Sequence, residues 1–339
     1  MTPRLTRWTS AGVSLIELMV SLVIGLFLVM GATVIYVNTR KTADIDETVA
    51  RLQETARYAM SVLEIDARMA NYWGVNKDGV AIDNRKGQAN TAASERVDNG
   101  NVVSSGNDCG TDFAVDVVKY IEANNNGYVL TCGAKTGAIA SADTLTIRRT
   151  TTTPATASAS KTQLCVTRNS VKIITPSMPA CSTPAQIFDL VVNSYYIDKG
   201  STQSSTYPSL RRKWLTTLPS GSPGMTDEEV IPGVEDMQIE LGWDPGTTGS
   251  AVRYVQPNNA NLATGQIVAV RVSLLVRAEL PDFSYRDTHT YVYGDRLAAN
   301  GTTANLNDAA AAGKAYVPND SFRRMLVTRT FFVRNVVGT

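Results

Sequence analysis

The amino-acid sequence predicts an α+β fold. One long N-terminal α-helix, half membrane-spanning and half amphipathic spine, packs on an enlarged antiparallel β domain. Three observations lead there. Residues 13–71 contain no proline and keep apolar side chains at helical spacing. Several later runs alternate apolar and polar residues with the period of a half-buried strand. All four cysteines fall in that later part, as expected of a domain facing an oxidising compartment.

The helix comes first. Residues 18–37 carry no charge, which matches the roughly 20 residues needed to cross a hydrocarbon core about 30 Å thick. One carboxylate, Glu17, sits at the start of this apolar run. Residues 1–12 are polar, with Arg4 and Arg7 and no acidic residue. A secretory signal places small residues after its apolar core, whereas Ala11-Gly12 precede this one, so cleavage there leaves the helix on the mature chain. Arg4 and Arg7 favour a cytoplasmic leader, although Arg40 and Lys41 on the other side weaken the contrast.

Beyond the span, Ile45, Val49, Leu52, Ala56, Ala59 or Met60, and Leu63 recur at steps of three and four. Tyr72-Trp73-Gly74 supplies a stop, with glycine after the last turn. A helix of about 59 residues is roughly 90 Å long, about one third of it for lipid. The small side chains at 56 and 59 dilute a coiled-coil seam, so a sheet of the same chain is the expected cover for the stripe.

Residues 75–110 are rich in Asn, Gly, Asp and Ser and read as a surface excursion. Strands are expected over 113–121, 143–148, 163–174, 187–197, 210–215, 230–244, 267–277 and 324–335. In the 267–277 run, Val268, Val270, Val272, Leu274 and Val276 share one face. The cysteines contain neither a Cys-x-x-Cys nor a Cys/His zinc pattern, and the spacing favours local pairs, Cys109 with Cys132 and Cys165 with Cys181. Each such bond closes a loop of roughly 20 residues and contributes about 2–4 kcal/mol. Sequence by itself permits three connectivities.

Composition narrows the function. Lys plus Arg total 32 against 31 Asp plus Glu, a net charge of +1, so there is no electrostatic case for a nucleic-acid partner. The basic run Leu210-Arg211-Arg212-Lys213-Trp214-Leu215 is expected to be a solvated strand face. His289 is the single histidine and has no nucleophile motif around it, and no phosphate loop, dinucleotide fingerprint or EF-hand occurs. Asp98-Asn99-Gly100-Asn101 and Asn124-Asn125-Asn126-Gly127 offer oxygen ligands to calcium but also suit ordinary turns, and no ligand set is defined. No catalytic, cofactor-binding or metal-binding residue is assigned.

The stretch Gly12-Val13-Ser14-Leu15-Ile16-Glu17-Leu18-Met19-Val20 resembles the cleavage and methylation signal of type IV prepilins and of type II secretion pseudopilins. That resemblance implies a pilin-like fold, cleavage after Gly12 by a prepilin peptidase and N-methylation of Val13. Glu17 becomes the fifth residue of the mature chain, where such proteins use a glutamate in assembly. Val13 and Ser14 stand where these proteins usually have Phe and Thr. Further on, Gly-Val-Glu-Asp-Met-Gln-Ile-Glu at 233–240, Val-Ala-Val-Arg-Val-Ser-Leu-Leu-Val-Arg at 268–277 and Arg-x-Phe-Phe-Val-Arg-Asn at 329–335 resemble the PilW family of minor pilins.

The organisation implied is a leader at 1–12, a transmembrane half-helix at 13–37, an amphipathic half at 38–73 and a periplasmic β-rich domain at 74–339. A candidate division of that domain falls near 199–226. The function implied is a non-enzymatic minor pilin that primes assembly of the type IV pilus and joins its tip complex. Expected partners are PilV, PilX and FimU-type minor pilins, a PilY-type tip adhesin, the major pilin and, transiently, the peptidase. The protein is expected in the inner membrane and then at the pilus tip on the cell surface. A minor pseudopilin of type II secretion, or a membrane-anchored periplasmic enzyme or receptor, are the alternatives that the sequence leaves open.

Overall fold

The computed structural model describes residues 12–75, 79–86, 108–167, 170–174, 181, 184–246 and 249–336. The leader up to residue 11 and the Asp98-Asn99-Gly100-Asn101 run lie outside them. The chain divides into two compact units, Met1–Ala50 and Arg51–Thr339. In the first, the backbone becomes helical at Leu15, the start of α1 (Leu15–Met69). Its apolar side chains are exposed: Leu15 is 78% and Ile16 72% accessible.

In the second unit, α1 buries Leu52, Ala56, Ala59, Met60, Leu63, Asp66 and Ala67. This is the stripe read from the three- and four-residue steps, and each fully buried large side chain contributes about 1.5–3 kcal/mol. The helix ends at Met69, a few residues before the expected glycine stop, because Asn71 takes the left-handed conformation at φ 63°. The C-terminal segment helps close that end: Arg334 N–H donates to the Arg68 carbonyl at 3.3 Å and Asn335 Nδ2 to the Ala70 carbonyl at 3.2 Å. Helix carbonyls that lack an intrahelical donor are satisfied in this way.

The larger sheet contains β1 (Ile82–Asp83), β2 (Ile121–Asn124), β3 (Thr144–Thr150), β4 (Gln163–Val166), β5 (Val171–Ile174), β6 (Gln186–Asp198), β7 (Ser209–Thr217) and β8 (Pro223–Pro232). Its order is β1-β5-β4-β6-β3-β2, with β7 pairing both β6 and β8. The 199–226 stretch supplies β7 and the start of β8. Chain order continues with β9 (Val234–Asp244), β10 (Arg253–Val255), β11 (Gln266–Arg277), β12 (Leu297–Thr303), β13 (Lys314–Tyr316) and β14 (Arg324–Phe332). The second sheet runs β10-β9-β11-β14, and β12 pairs with β13 separately. Its antiparallel register sets Val270, Val272 and Leu274 opposite Leu241, Ile239 and Met237, and all six join the buried cluster that holds Met60 and Leu63.

Residues 230–244, expected as one strand, form the end of β8 and the whole of β9, which belong to different sheets. Gly233 divides them at φ +92°, and a Cβ there would lie 2.5 Å from the Tyr207 hydroxyl oxygen. Residues 113–120, also expected as strand, form turns instead, and pairing begins at Ile121. Phe113, Ala114, Val115, Asp116 and Val117 are all buried, so this part of the run has no solvent face for alternation to serve. Its carbonyls find a donor other than a neighbouring strand. The Arg148 guanidinium bonds Phe113 O at 3.0 Å and Lys119 O at 2.7 Å.

The basic run on β7 is not a solvated face. Arg211 and Lys213 are 4% and 7% accessible. Arg211 pairs with Asp227 at 2.6 Å and Glu229 at 3.0 Å, and Lys213 with Asp227 at 3.0 Å, all across the β7–β8 ladder. The acids of 227–229 sit one strand away, which cross-strand pairing makes adjacent.

Candidate functional site

At the anchor, residues 12–14 are non-helical and α1 begins immediately after Ser14, whose carbonyl accepts the Leu18 N–H at 3.1 Å. Ser14 thereby occupies the position before the first helical residue, and Glu17 lies three further on, in the first turn. This Ser-x-x-Glu spacing is that of a capping box, in which each side chain can accept from or reach back to backbone N–H groups of the helix start. A carboxylate there also meets the positive end of the helix dipole. Glu17 therefore has a local role available at the helix start, and the motif was present in the sequence. The side chains around it present apolar surface that lipid or neighbouring helices would cover.

Within the second unit, the helix is bound to the larger sheet by Asp66, which the hydrophobic pattern does not reveal. Its Oδ1 accepts from Arg149 Nε at 3.0 Å and Nη2 at 2.8 Å, and its Oδ2 from Asn193 Nδ2 and the Tyr195 hydroxyl, each at 2.5 Å. Burial, and then the Asp66 charge, push the Tyr195 hydroxyl well above its ordinary value, so it remains a donor. The second sheet has a corresponding tie. Arg324 on β14 bonds Glu235 of β9 at 2.6 Å and Asp320 at 2.7 Å.

Disulfides join Cys109 to Cys132 and Cys165 to Cys181. Cys109 is buried in a separate core with Trp73, Ile82, Phe113, Leu164 and Phe188. His289 is 71% exposed at its side chain, with Nδ1 3.0 Å from Asp287 Oδ1. Asp287 in turn accepts from the Tyr291 hydroxyl at 2.9 Å. The group joins neighbouring loop residues, and no nucleophile takes part in it.

A groove of about 330 Å³ is lined by Arg149, Lys161, Asp189, Asn193, Arg212 and Trp214, among others. Each cation in it already has an acid: Arg149 has Asp66 at 2.8 Å, Lys161 has Asp189 at 2.5 Å and Arg212 has Glu228 at 2.7 Å. Among the described residues, no three His, Cys, Asp or Glu side chains are grouped to hold a metal.

The fold and anchor define a class. Among the described residues, one helix is long and apolar enough, by length and composition, to cross a membrane, and its latter part is built into an antiparallel β domain. That is the α+β architecture expected from the sequence. The family model described as Type IV Pilus-assembly protein W matches residues 194–335, from the middle of β6 to the end of the C-terminal strand region. That C-terminal part of the chain is accordingly similar to the PilW family of type IV pilus-assembly proteins. Among solved structures, a type IV-like pilin from Thermus thermophilus is similar at 14% identity and a TM-score of 0.27, over 60% of this chain and 82% of that one. No curated protein matches the sequence.

Proposed function

We propose that this protein is a non-enzymatic minor pilin that primes type IV pilus assembly and takes a place in the tip complex. One observation carries the reading: a β domain that matches PilW in part shares its chain with an exposed apolar half-helix, residues 13–37, whose single charge, Glu17, lies five residues after Gly12. Prepilin peptidase would cut after Gly12 and methylate Val13, leaving the helix in the inner membrane and the β domain in the periplasm. A carboxylate inside the bilayer costs about 2.5–3.5 kcal/mol. Pairing Glu17 with the new amino terminus of a neighbouring subunit would offset that cost and favour one register. The partners on this reading are PilV, PilX and FimU-type minor pilins, a PilY-type adhesin and the major pilin.

Replacement of Glu17 by Gln tests the docking step, since Gln suits the same capping-box spacing and removes the charge. Cleavage, read by intact mass, should be unchanged, while recovery in sheared pili falls at least tenfold. Normal incorporation of Glu17→Gln would sink the proposed pairing. Deletion of the gene should abolish surface pili. Intact pili with lost protein secretion would instead indicate a type II secretion pseudopilin. Activity retained by an uncleaved Gly12 variant would indicate an anchored enzyme or receptor.

A further inference from the structure

The face of the larger sheet that receives Asp66 of α1 continues into an open groove. On β6, Asp189 and Val191 are half-buried and alternate with Phe188, Leu190 and Val192, which are buried. On β7, Arg212, Trp214 and Thr216 alternate in the same way with the buried Arg211, Lys213 and Leu215. Successive side chains of a strand point to opposite faces, so the half-buried set shares one face. It lines the groove of about 330 Å³, and Arg149 and Asn193, both held by Asp66, form the wall nearest the helix. A space of that size lies at the lower end of small-molecule sites, about 300–1,000 Å³.

Charge and backbone pairing decide what the groove can take. Its three cations, Arg149, Lys161 and Arg212, are matched by three carboxylates, Asp66, Asp189 and Glu228, at 2.5–2.8 Å. An anion therefore meets no net attraction there. The floor strands are paired along the sheet, β6 with β3, β4 and β7, and β7 with β6 and β8, so neither offers a free edge to an extended peptide. Side-chain chemistry remains. Trp214 supplies an aromatic surface, with the Arg212 guanidinium 5.5 Å from its ring centre. In the same groove, Lys161 and Asp189 set a donor beside an acceptor. Their mutual bond uses one of three ammonium hydrogens, and the carboxylate takes one further bond, from Gln163 Nε2 at 2.7 Å. The two side chains are 48% and 20% exposed, so their remaining positions reach solvent.

We propose that this groove binds a neutral saccharide, one or two pyranose rings of a glycan. A pyranose has an apolar C–H face and a rim of adjacent hydroxyls, each both donor and acceptor. The C–H face fits the indole of Trp214, a large, rigid apolar surface. Neighbouring hydroxyls fit the Lys161–Asp189 couple, one accepting from Nζ and the next donating to the carboxylate. The ion pairs hold these groups in place before the sugar arrives, which lowers the ordering cost of binding. The site lies wholly within the unit Arg51–Thr339 and does not depend on the pilin reading.

The test uses the full-length protein in a detergent without a sugar headgroup, with cellobiose, lactose and N,N′-diacetylchitobiose as probes. Saturation-transfer NMR should give saturable binding of at least one of them, with a dissociation constant on the order of 1 mM. Raising salt from about 0.05 to about 0.5 M should leave that constant within about twofold, as a neutral ligand requires. Trp214→Ala should weaken binding at least tenfold, and Trp214→Phe should recover most of it. Should Trp214→Ala fail to fold, Lys161→Ala, a change at an exposed side chain, carries the same criterion. No saturable binding of any probe, wild-type binding by the variant, or tighter binding of inorganic phosphate than of any sugar would overturn the site.

Discussion

Replacing Asp66 by Ala should loosen α1 from the larger sheet more than any other single change on the helix surface. Four donor contacts at 2.5–3.0 Å converge on that carboxylate, and Tyr195 and Asn193 are 0% and 4% accessible. Truncation leaves a guanidinium, an amide and a hydroxyl without their acceptor. Removing one partner of a buried pair costs about 3–5 kcal/mol. The Arg149 side chain is 17% exposed, so water recovers part of its loss, and the lower end, about 3 kcal/mol, is expected. For a large domain that corresponds to a fall of roughly 6–12 °C in Tm.

The assay is thermal and urea unfolding followed by tryptophan fluorescence, since Trp73 is fully buried just past the helix end and donates to Asn71 Oδ1 at 2.7 Å. Arg68→Ala is the control. It breaks an exposed ion pair with Glu64 whose side chains are 44% and 30% accessible, a pair contributing about 0.3–0.5 kcal/mol. If Asp66→Ala is no more destabilising than Arg68→Ala, the assignment of Asp66 as the tie between helix and sheet is refuted.

Removing the Cys109–Cys132 bond by double Ser substitution should cost about 3 kcal/mol. Because Cys109 packs in the core with Trp73, the fluorescence transition should move earlier than the loss of far-ultraviolet signal, and coincident transitions would contradict two separate cores. Acid should act on Asp227 with a defined sign. Burial raises its carboxyl, but hydrogen bonds from Tyr196, Lys213 and Arg211 outweigh this and hold it below its ordinary 3.8. A depressed folded value contributes stability above pH 3.8 that is lost as pH falls through the folded value. The stability gap between wild type and Asp227→Asn should therefore narrow below about pH 4, and a gap that widens there would contradict the pairing.

What the sequence determined by itself is whatever neighbouring residues encode. The proline-free helix, its stripe from Leu52 to Leu63 and the long strands around 187–197 and 267–277 all follow from local period and composition. Where consecutive residues were all buried, as over 113–117, the period carried no information, and the run was misread as a strand for that reason. Charge in a strand was ambiguous in the same way. Arg211 and Lys213 read as solvated until β8 placed Asp227 and Glu229 opposite them.

Tertiary structure alone decided which distant side chains meet. Asp66 finds Arg149, Asn193 and Tyr195 at separations of 83, 127 and 129 residues, and Asn126 finds Asp295 at 169. No local pattern specifies such pairs, because an isolated polar residue on an apolar face looks the same whether its partner is a side chain, a water or an ion. Chain folding brings the partners together, and the energy of leaving a buried polar group unpaired then fixes them in place. The apolar helix was legible because its pattern is contiguous, while the ties that join helix to sheet were not.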